Sequence, residues 1–337
     1  MGQNGAKSGF SKVNVGREFR DKYGMGMPTL KLARIMYKEA HPVFSSIEDA
    51  RHILRSIEGK IGRSRVEPTH KIENRPYNPY NLPPSDASPF PPKKFTGYKR
   101  ALIISDIHIP YHDIDAVTLC FDYAKKEKPD IIVIDGDLID CHKLSKFVKD
   151  PTKRDFKYEL DQMKLFFDIL KKTFKGAKIV YKLGNHEIRY EHFLWQKAGE
   201  LSGVEEFELS NIVKARAEGI EIVGDKTIVM LNELPIIHGH EFGRGQFNPV
   251  NTARGLFLKG VHTCLQADSH KPSKHSEPNM FKKKIVTWSI GCLCGLWPEY
   301  AVYNKWSHGF AMIDLDPNKI NFEVRLKDID TETGRVF

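Results

Sequence analysis

The sequence predicts an α/β protein whose sheet domain follows a small all-α N-terminal module. Three observations carry this. From Lys99 onward, short apolar runs alternate with segments of helical period, the pattern of a sheet built from strand–helix units. Residues 17–61 have apolar positions at helical spacing instead. Between the two, residues 68–92 hold eight of the chain's nineteen prolines, which marks a semi-rigid linker. The predicted organisation is a disordered tail (1–16), a basic helical module (17–66), a proline-rich linker (67–98), the α/β domain (99–327) and a C-terminal tail (328–337).

The elements follow in order. Residues 1–16 are rich in Gly, Asn, Lys and Ser and are expected to be disordered. Pro28-Thr29 opens a helix with Leu32, Ala33, Ile35 and Met36 on one face, and His41-Pro42 ends it. Ser45 with Glu48 three residues on predicts a capped second helix, with Ile47, Ala50, Leu54 and Ile57 along one side and Gly59 as its stop. Arg51 and Arg55 lie one turn apart, away from that stripe, so the pair resembles a helix-turn-helix module with a basic second helix. In the larger domain, strands are predicted at 101–105, 130–135, 178–183, 227–231, 235–238, 261–267, 284–290, 308–315 and 319–326. Helices are predicted at 115–127 and 155–173, with a mostly helical insertion over 191–217.

Composition narrows the class of protein. With 40% hydrophobic and 28% charged residues, 337 residues can bury a core without a disulfide or structural metal. Five cysteines at unpatterned spacing fit a reducing compartment, and Cys292 and Cys294 read as small buried strand residues. No apolar run approaches about 18 residues and no secretory h-region is visible, so the expected location is the cytoplasm, with no membrane partner. Ala6 stands where a myristoylation signal needs Ser or Thr. The net charge of +9 is unevenly spread: residues 1–100 carry 19 Lys/Arg against 9 Asp/Glu, and the remainder 33 against 34. A basic module on a neutral body makes nucleic acid the expected partner, through residues 17–66.

The chemistry is written after the strands. One ends in Asp106-Ile107-His108, the next in Gly136-Asp137-Leu138-Ile139-Asp140, the third in Gly184-Asn185-His186-Glu187. Later strands end in His238-Gly239-His240 and Asp268-Ser269-His270. Ligand sites of α/β sheets lie beyond the carboxyl ends of strands, so five ends deliver carboxylates, imidazoles and an amide to one edge. Donors of this hardness, without thiolates, suit divalent ions such as manganese, iron or zinc.

In this order the motifs D-x-H, G-D-x-x-D, G-N-H-E, H-G-H and x-x-S-H resemble the calcineurin-like metallophosphoesterases, over roughly residues 99–327. The resemblance implies a four-layer α/β/β/α sandwich that holds two divalent ions, manganese first with iron, zinc or magnesium as alternatives. It implies Asp106, His108 and His270 on the first ion, Asp137 bridging both, Asn185 and His238 on the second, and His186 over the phosphate as acid or stabiliser. One position departs from the pattern: Asp268 replaces an imidazole at the second ion, where its anionic oxygen favours manganese or magnesium. His240 is expected to support the turn, Asp140 to orient its loop, and His112, Arg189, Arg244 and Arg254 to line the cleft or face solvent. The implied reaction is metal-dependent hydrolysis of a phosphoester, with Asp137 and His186 central. H-G-H followed by E-F-G resembles the phosphodiesterase and nuclease branch, so a nucleic-acid diester is the expected substrate. A phosphomonoesterase or protein phosphatase, and a nucleic-acid-binding protein with an inactive metal domain, are the alternatives.

Overall fold

The computed structural model describes residues 9–40, 43–61, 80–87, 89–146, 155–216, 219–243, 250–299, 302–317 and 321–337. They belong to two compact units, Met1–Pro91 and Pro92–Phe337.

The first unit contains three helices, α1 (Gly9–Tyr23), α2 (Thr29–Glu39) and α3 (Ile47–Ile57). Their shared core is Leu32, Ala33, Met36, Phe44, Ala50 and Leu54, with Val15 and Phe19 packed on it from α1. That packing explains why α1 begins inside the stretch whose composition predicts disorder. Two apolar side chains four residues apart form one helical face, and burying it outweighs the weak propensity of the flanking Gly and Asn. The cap of α3 is Ser46, one residue later than the sequence suggests: its hydroxyl accepts the Asp49 N–H at 3.0 Å, and Asp49 returns a carboxylate to the Ser45 N–H at 2.9 Å. Arg51 hydrogen-bonds Glu48 at 3.0 Å, so the arginine face of α3 is partly neutralised. The exposed cations Lys31, Arg34 and Lys38 share one face of α2. His41 and Pro42 lie outside the described residues.

The second unit begins with β1 (Lys93–Phe95), β2 (Arg100–Ile104), α4 (Ile114–Glu127), β3 (Ile131–Asp135), α5 (Phe156–Thr173) and β4 (Lys178–Lys182). The insertion carries α6 (Ile188–Lys197) and α7 (Leu209–Arg216), joined by two short 3-10 turns, and then β5 (Glu221–Val223). There follow β6 (Val229–Leu231), β7 (Leu234–Ile237), α8 (Thr252–Gly260), β8 (Cys264–Gln266), β9 (Ser273–Pro278), β10 (Lys284–Ser289), β11 (Gly309–Leu315), β12 (Phe322–Asp330) and β13 (Arg335–Val336). Two sheets result, one of seven strands in the order β13-β12-β11-β2-β3-β4-β5 and one of six in the order β1-β6-β7-β8-β10-β9. Strands β2, β3, β4 and β5 run parallel, as do β7, β8 and β10.

Side-chain alternation builds the layers. Ala101, Ile103, Ile131, Val133 and Val180 face the six-stranded sheet, where Val229, Leu231, Ile236 and Leu265 meet them. Their neighbours Leu102, Ile104, Ile132, Ile134 and Tyr181 face the other way, onto α4 and α5. Strands buried on both faces read as unbroken apolar runs, which is why these were legible. Helix α8 covers the six-stranded sheet through Leu256, packed with Ile237 and Cys264. The order is helices, sheet, sheet, helix: the α/β/β/α sandwich.

Two expectations need correction. Lys93–Phe95, expected as linker, is a strand parallel to β6, anchored by the buried Phe95. The expected C-terminal tail forms the end of β12 and all of β13, paired as Ile329 with Val336 and Asp330 with Arg335. Ile329 is buried in the main core, which ties this end down.

Candidate metal centre

Each candidate residue sits in the turn just beyond a strand. Asp106 and His108 follow β2, Asp137 follows β3, Asn185 and His186 follow β4, His238 follows β7, and Asp268 and His270 follow β8. The turns are sharp. Asp106, His108, Asp137, Asp268 and His270 all have left-handed backbones, with φ of 52°, 49°, 51°, 57° and 55°. Such conformations cost non-glycine residues on the order of 1–3 kcal/mol each, and they persist where the surrounding fold over-determines them. Gly184 is required by crowding, because a Cβ there would collide with Asp137 Oδ1 and the Asp137 backbone.

Asp137 is the centre of the arrangement. Its Oδ1 lies 3.3 Å from His238 Nε2, and its Oδ2 lies 3.7 Å from His186 Nε2 and 4.0 Å from His108 Nε2. On one side, His270 Nε2 stands 3.0 Å from Asp106 Oδ1 and 3.3 Å from His108 Nε2. On the other, His238 Nε2 faces Asn185 Oδ1 at 3.1 Å and Asp268 Oδ1 at 3.8 Å. Asp106, His108, Asp137, His186, His238 and His270 are all buried. Burial pushes the Asp137 carboxyl up, but His186 and His238 outweigh it and hold the group well below the usual carboxylate range. His238 and His270 are driven the other way. Burial lowers them, yet Asp137 raises His238 and Asp106 raises His270, and both end well above the ordinary imidazole value.

These atoms fit divalent ions. His238 Nδ1 lies 2.5 Å from the Asp135 carbonyl oxygen, an acceptor only, so that nitrogen carries the hydrogen. Nε2 then points among three oxygens, where it holds a proton or a metal ion. Asp106 Oδ1 is buried with His270 Nε2 3.0 Å away, and the Nε2 atoms of His108 and His270 face each other beside it. Such convergence of donor atoms is repulsive unless a proton or a metal cation occupies it. Two of the donor groups meet at Asp137, namely Asp106–Asp137–His238 and His108–Asp137–His186. A third, His108–His270–Cys294, includes a thiol that sequence spacing passed over, with Cys294 Sγ 4.0 Å from His270 Nδ1.

The replacement at 268 keeps an oxygen in reach of the second half-site. Asp268 donates its backbone N–H to Asp106 Oδ2 at 3.2 Å, which links the two half-sites through the main chain. Burial pushes its carboxyl up, against the attraction of His238.

Supporting residues surround this edge. Asp140 places Oδ1 3.0 Å from His186 Nδ1 and 3.4 Å from His108 Nδ1, so it orients two imidazoles at once. Arg189 donates to the Asp140 carbonyl at 2.7 Å and to His186 Nε2 at 2.7 Å. Glu187 caps the neighbouring turns, accepting N–H groups of Asp137, Leu138, Ile139 and Gly184 and the Tyr181 hydroxyl. Glu241 accepts the N–H groups of His238 and Gly239 and pairs with the fully buried Lys182 at 2.8 Å. The sequence places Glu187 in a motif but assigns it no partner, and it gives Lys182 and Glu241 no role. Their only sequence signal is charge inside or beside an apolar strand. His240 opens the turn after His238, ring centroids 5.5 Å apart, and joins no donor group among the described residues. Trp288 is core, Trp297 is largely exposed, and the Trp306 ring packs 4.0 Å from that of His270. Arg254 is exposed, and Arg244 lies outside the described residues.

A sequence model of the calcineurin-like phosphoesterases matches residues 99–290, more than half the chain. The Gene 54 protein of Mycobacterium phage L5 is 26% identical over 241 residues, which span 67% of this chain and 92% of that protein. Among solved structures, Vacuolar Protein Sorting 29 from Cryptosporidium parvum aligns at 14% identity over 71% of this chain and 95% of its own, with a TM-score of 0.38. Yfce, a phosphoesterase from E. coli, aligns at 13% identity over 70% of this chain and 96% of its own, with a TM-score of 0.33.

Proposed function

The chain belongs to the calcineurin-like phosphoesterase family, metal-dependent hydrolases of phosphoric esters, and we propose that its substrate is a phosphodiester in nucleic acid. The carrying observation is the position of Asp137, whose two carboxylate oxygens face different imidazoles: Oδ1 faces His238, and Oδ2 faces His186 and His108. One carboxylate shared in this way suits a dinuclear centre. Asp106, His108 and His270 would hold the first ion, Asn185, His238 and Asp268 the second, and Asp137 both. Manganese fits best, given an oxygen-rich second half-site. When bound, two such ions supply positive charge for the phosphoryl oxygens and lower the pKa of a water at the site.

The protein's own groups supply the proton and the orientation. Asp137 and Asp140 raise the His186 imidazole above its ordinary value although burial and Arg189 lower it, the direction that favours an acid role. Arg189 donates to His186 Nε2, so for that atom to protonate a leaving oxygen the guanidinium must turn aside, toward the phosphate, and Nε2 must take up a proton from solvent. Asp140 keeps Nδ1 engaged meanwhile.

Nucleic acid is favoured by charge. The first hundred residues carry the whole positive excess, and Lys31, Arg34 and Lys38 line one exposed face of α2. Phosphate contacts there would add affinity that falls steeply with salt. The test compares manganese-dependent hydrolysis of bis-p-nitrophenyl phosphate, p-nitrophenyl phosphate and single- and double-stranded DNA. Faster turnover of both diester classes than of the monoester is expected. Preference for p-nitrophenyl phosphate would replace this reading with a monoesterase. Stoichiometric metal without turnover of any substrate would leave a nucleic-acid-binding protein. Replacing Lys31, Arg34 and Lys38 together by alanine should flatten the slope of log affinity for DNA against log salt by up to about three.

A further inference from the structure

A cavity of about 690 Å³ opens against the second half-site, bordered by Asn185, Gly239 and Asp268. Its walls are two helices. Arg189, His192 and Phe193 line it from α6, and Leu256 and Lys259 from α8, with Phe242 at the adjoining turn. The spacings are those of single helical faces, so each helix offers one continuous stripe. The stripes combine cations with apolar and aromatic surface, and among the described residues the carboxylate of Asp268 is the single acid of the lining. Such a wall complements a ligand that is anionic at one end and flat and apolar at the other. The volume lies within the range of about 300–1,000 Å³ that encloses small organic ligands, so it admits a nucleotide unit and excludes a duplex.

We infer that the groove between α6 and α8 is the subsite for the nucleoside attached to the scissile phosphate, with Phe193 stacking on the base and Lys259 facing the next phosphate. This assignment rests on the diesterase reading and adds to it that the strand is unpaired where it is cut. Phe193 and Lys259 lie on α6 and α8 rather than in the metal-bearing turns, so these two can be altered without touching the centre.

Full-length enzyme with manganese is assayed on two diesters that release p-nitrophenolate: bis-p-nitrophenyl phosphate, which has no base, and thymidine 3′-phosphate 5′-(p-nitrophenyl phosphate), which carries both a base and the next phosphate. Phe193→Ala and Lys259→Ala should each raise KM for the thymidine ester roughly five- to tenfold, the low end of what stacking one base contributes, with kcat held. Both should leave the base-free diester within about twofold. Equal effects on the two diesters, or none on the thymidine ester, would overturn the subsite. If wild type cleaves neither diester, the diesterase reading fails by itself. Calorimetric binding of the dinucleotide pTpT then decides the groove: about fivefold weaker binding to Phe193→Ala upholds it, and unchanged binding refutes it.

Discussion

Glu187 accepts the backbone N–H of Asp137 at 3.0 Å, so the residue shared between the two half-sites is held by a carboxylate from the next strand end. The same carboxylate takes the N–H groups of Leu138 at 2.8 Å and Gly184 at 2.7 Å and the Tyr181 hydroxyl at 2.6 Å. It thereby locks the turns after β3 and β4 to each other. Glu187→Gln substitutes an amide NH2 for one acceptor and turns it against N–H groups that have no other acceptor among the described residues. A loss of about 2–4 kcal/mol is expected in urea unfolding, with the m-value unchanged. A loss below about 0.5 kcal/mol would show the cap to be dispensable.

Asp137→Asn keeps the side-chain volume and a residue type that tolerates the left-handed backbone at φ 51°. It removes the charge that two sets of imidazoles share. Circular dichroism should match wild type, while metal-dependent turnover falls by about a thousandfold or more, the scale of losing several kcal/mol of charge stabilisation. Near-normal turnover would remove Asp137 from its assigned place.

Asp268→Ala separates the half-sites. Asp106, His108 and His270 lie together at the first position, whereas His238 and Asn185 would be left as the private ligands of the second position. Bound manganese, counted by elemental analysis after gel filtration, should drop from two per chain toward one. Asp268→His should restore two and shift preference from manganese toward zinc. Two ions retained in Asp268→Ala would mean that position 268 is not a ligand.

Glu159, on α5, is buried beneath the loop after β3, where it accepts the N–H groups of Cys141 at 2.6 Å and His142 at 3.1 Å. Burial and the neighbouring Asp140 push its carboxyl up from 4.5 to about 8. Between these values the folded state holds a proton that the unfolded chain has released. This group's contribution to stability is therefore present below about pH 4.5, declines as pH rises, and is gone above about 8. Glu159→Gln cannot titrate. Its stability deficit relative to wild type, greatest near pH 5, should narrow by on the order of a few kcal/mol by pH 8.5 in denaturant titrations. A constant difference across that range would contradict the assignment.

Much of the site was legible because its residues stand next to the elements that carry them. Strands β2, β3 and β4 are buried on both faces, so each appears in the sequence as an apolar run, and the polar turn after it stands out. Edge strands left no such mark: Ser273–Pro278 is polar and mostly exposed, and Lys93–Phe95 buries one side chain. The start of helix α1, before residue 17, was hidden by its composition, because Val15 matters only once α2 and α3 offer it a surface.

The sequence by itself determined the α/β class, the ends of the main strands and the set of acids and imidazoles placed there, since these depend on short-range periodicity and local motifs. Tertiary structure alone decided how those ends meet. Asp137 comes between His238 and the pair His108 and His186 because two sheets stack with their strand ends at one edge. Lys182 and Glu241, 59 positions apart, become a buried ion pair there. The groove between α6 and α8 likewise exists only after folding. Burial supplies the reason for all three: it removes water from charged groups and obliges them to find partners, and which partners are in reach is a property of the packed chain.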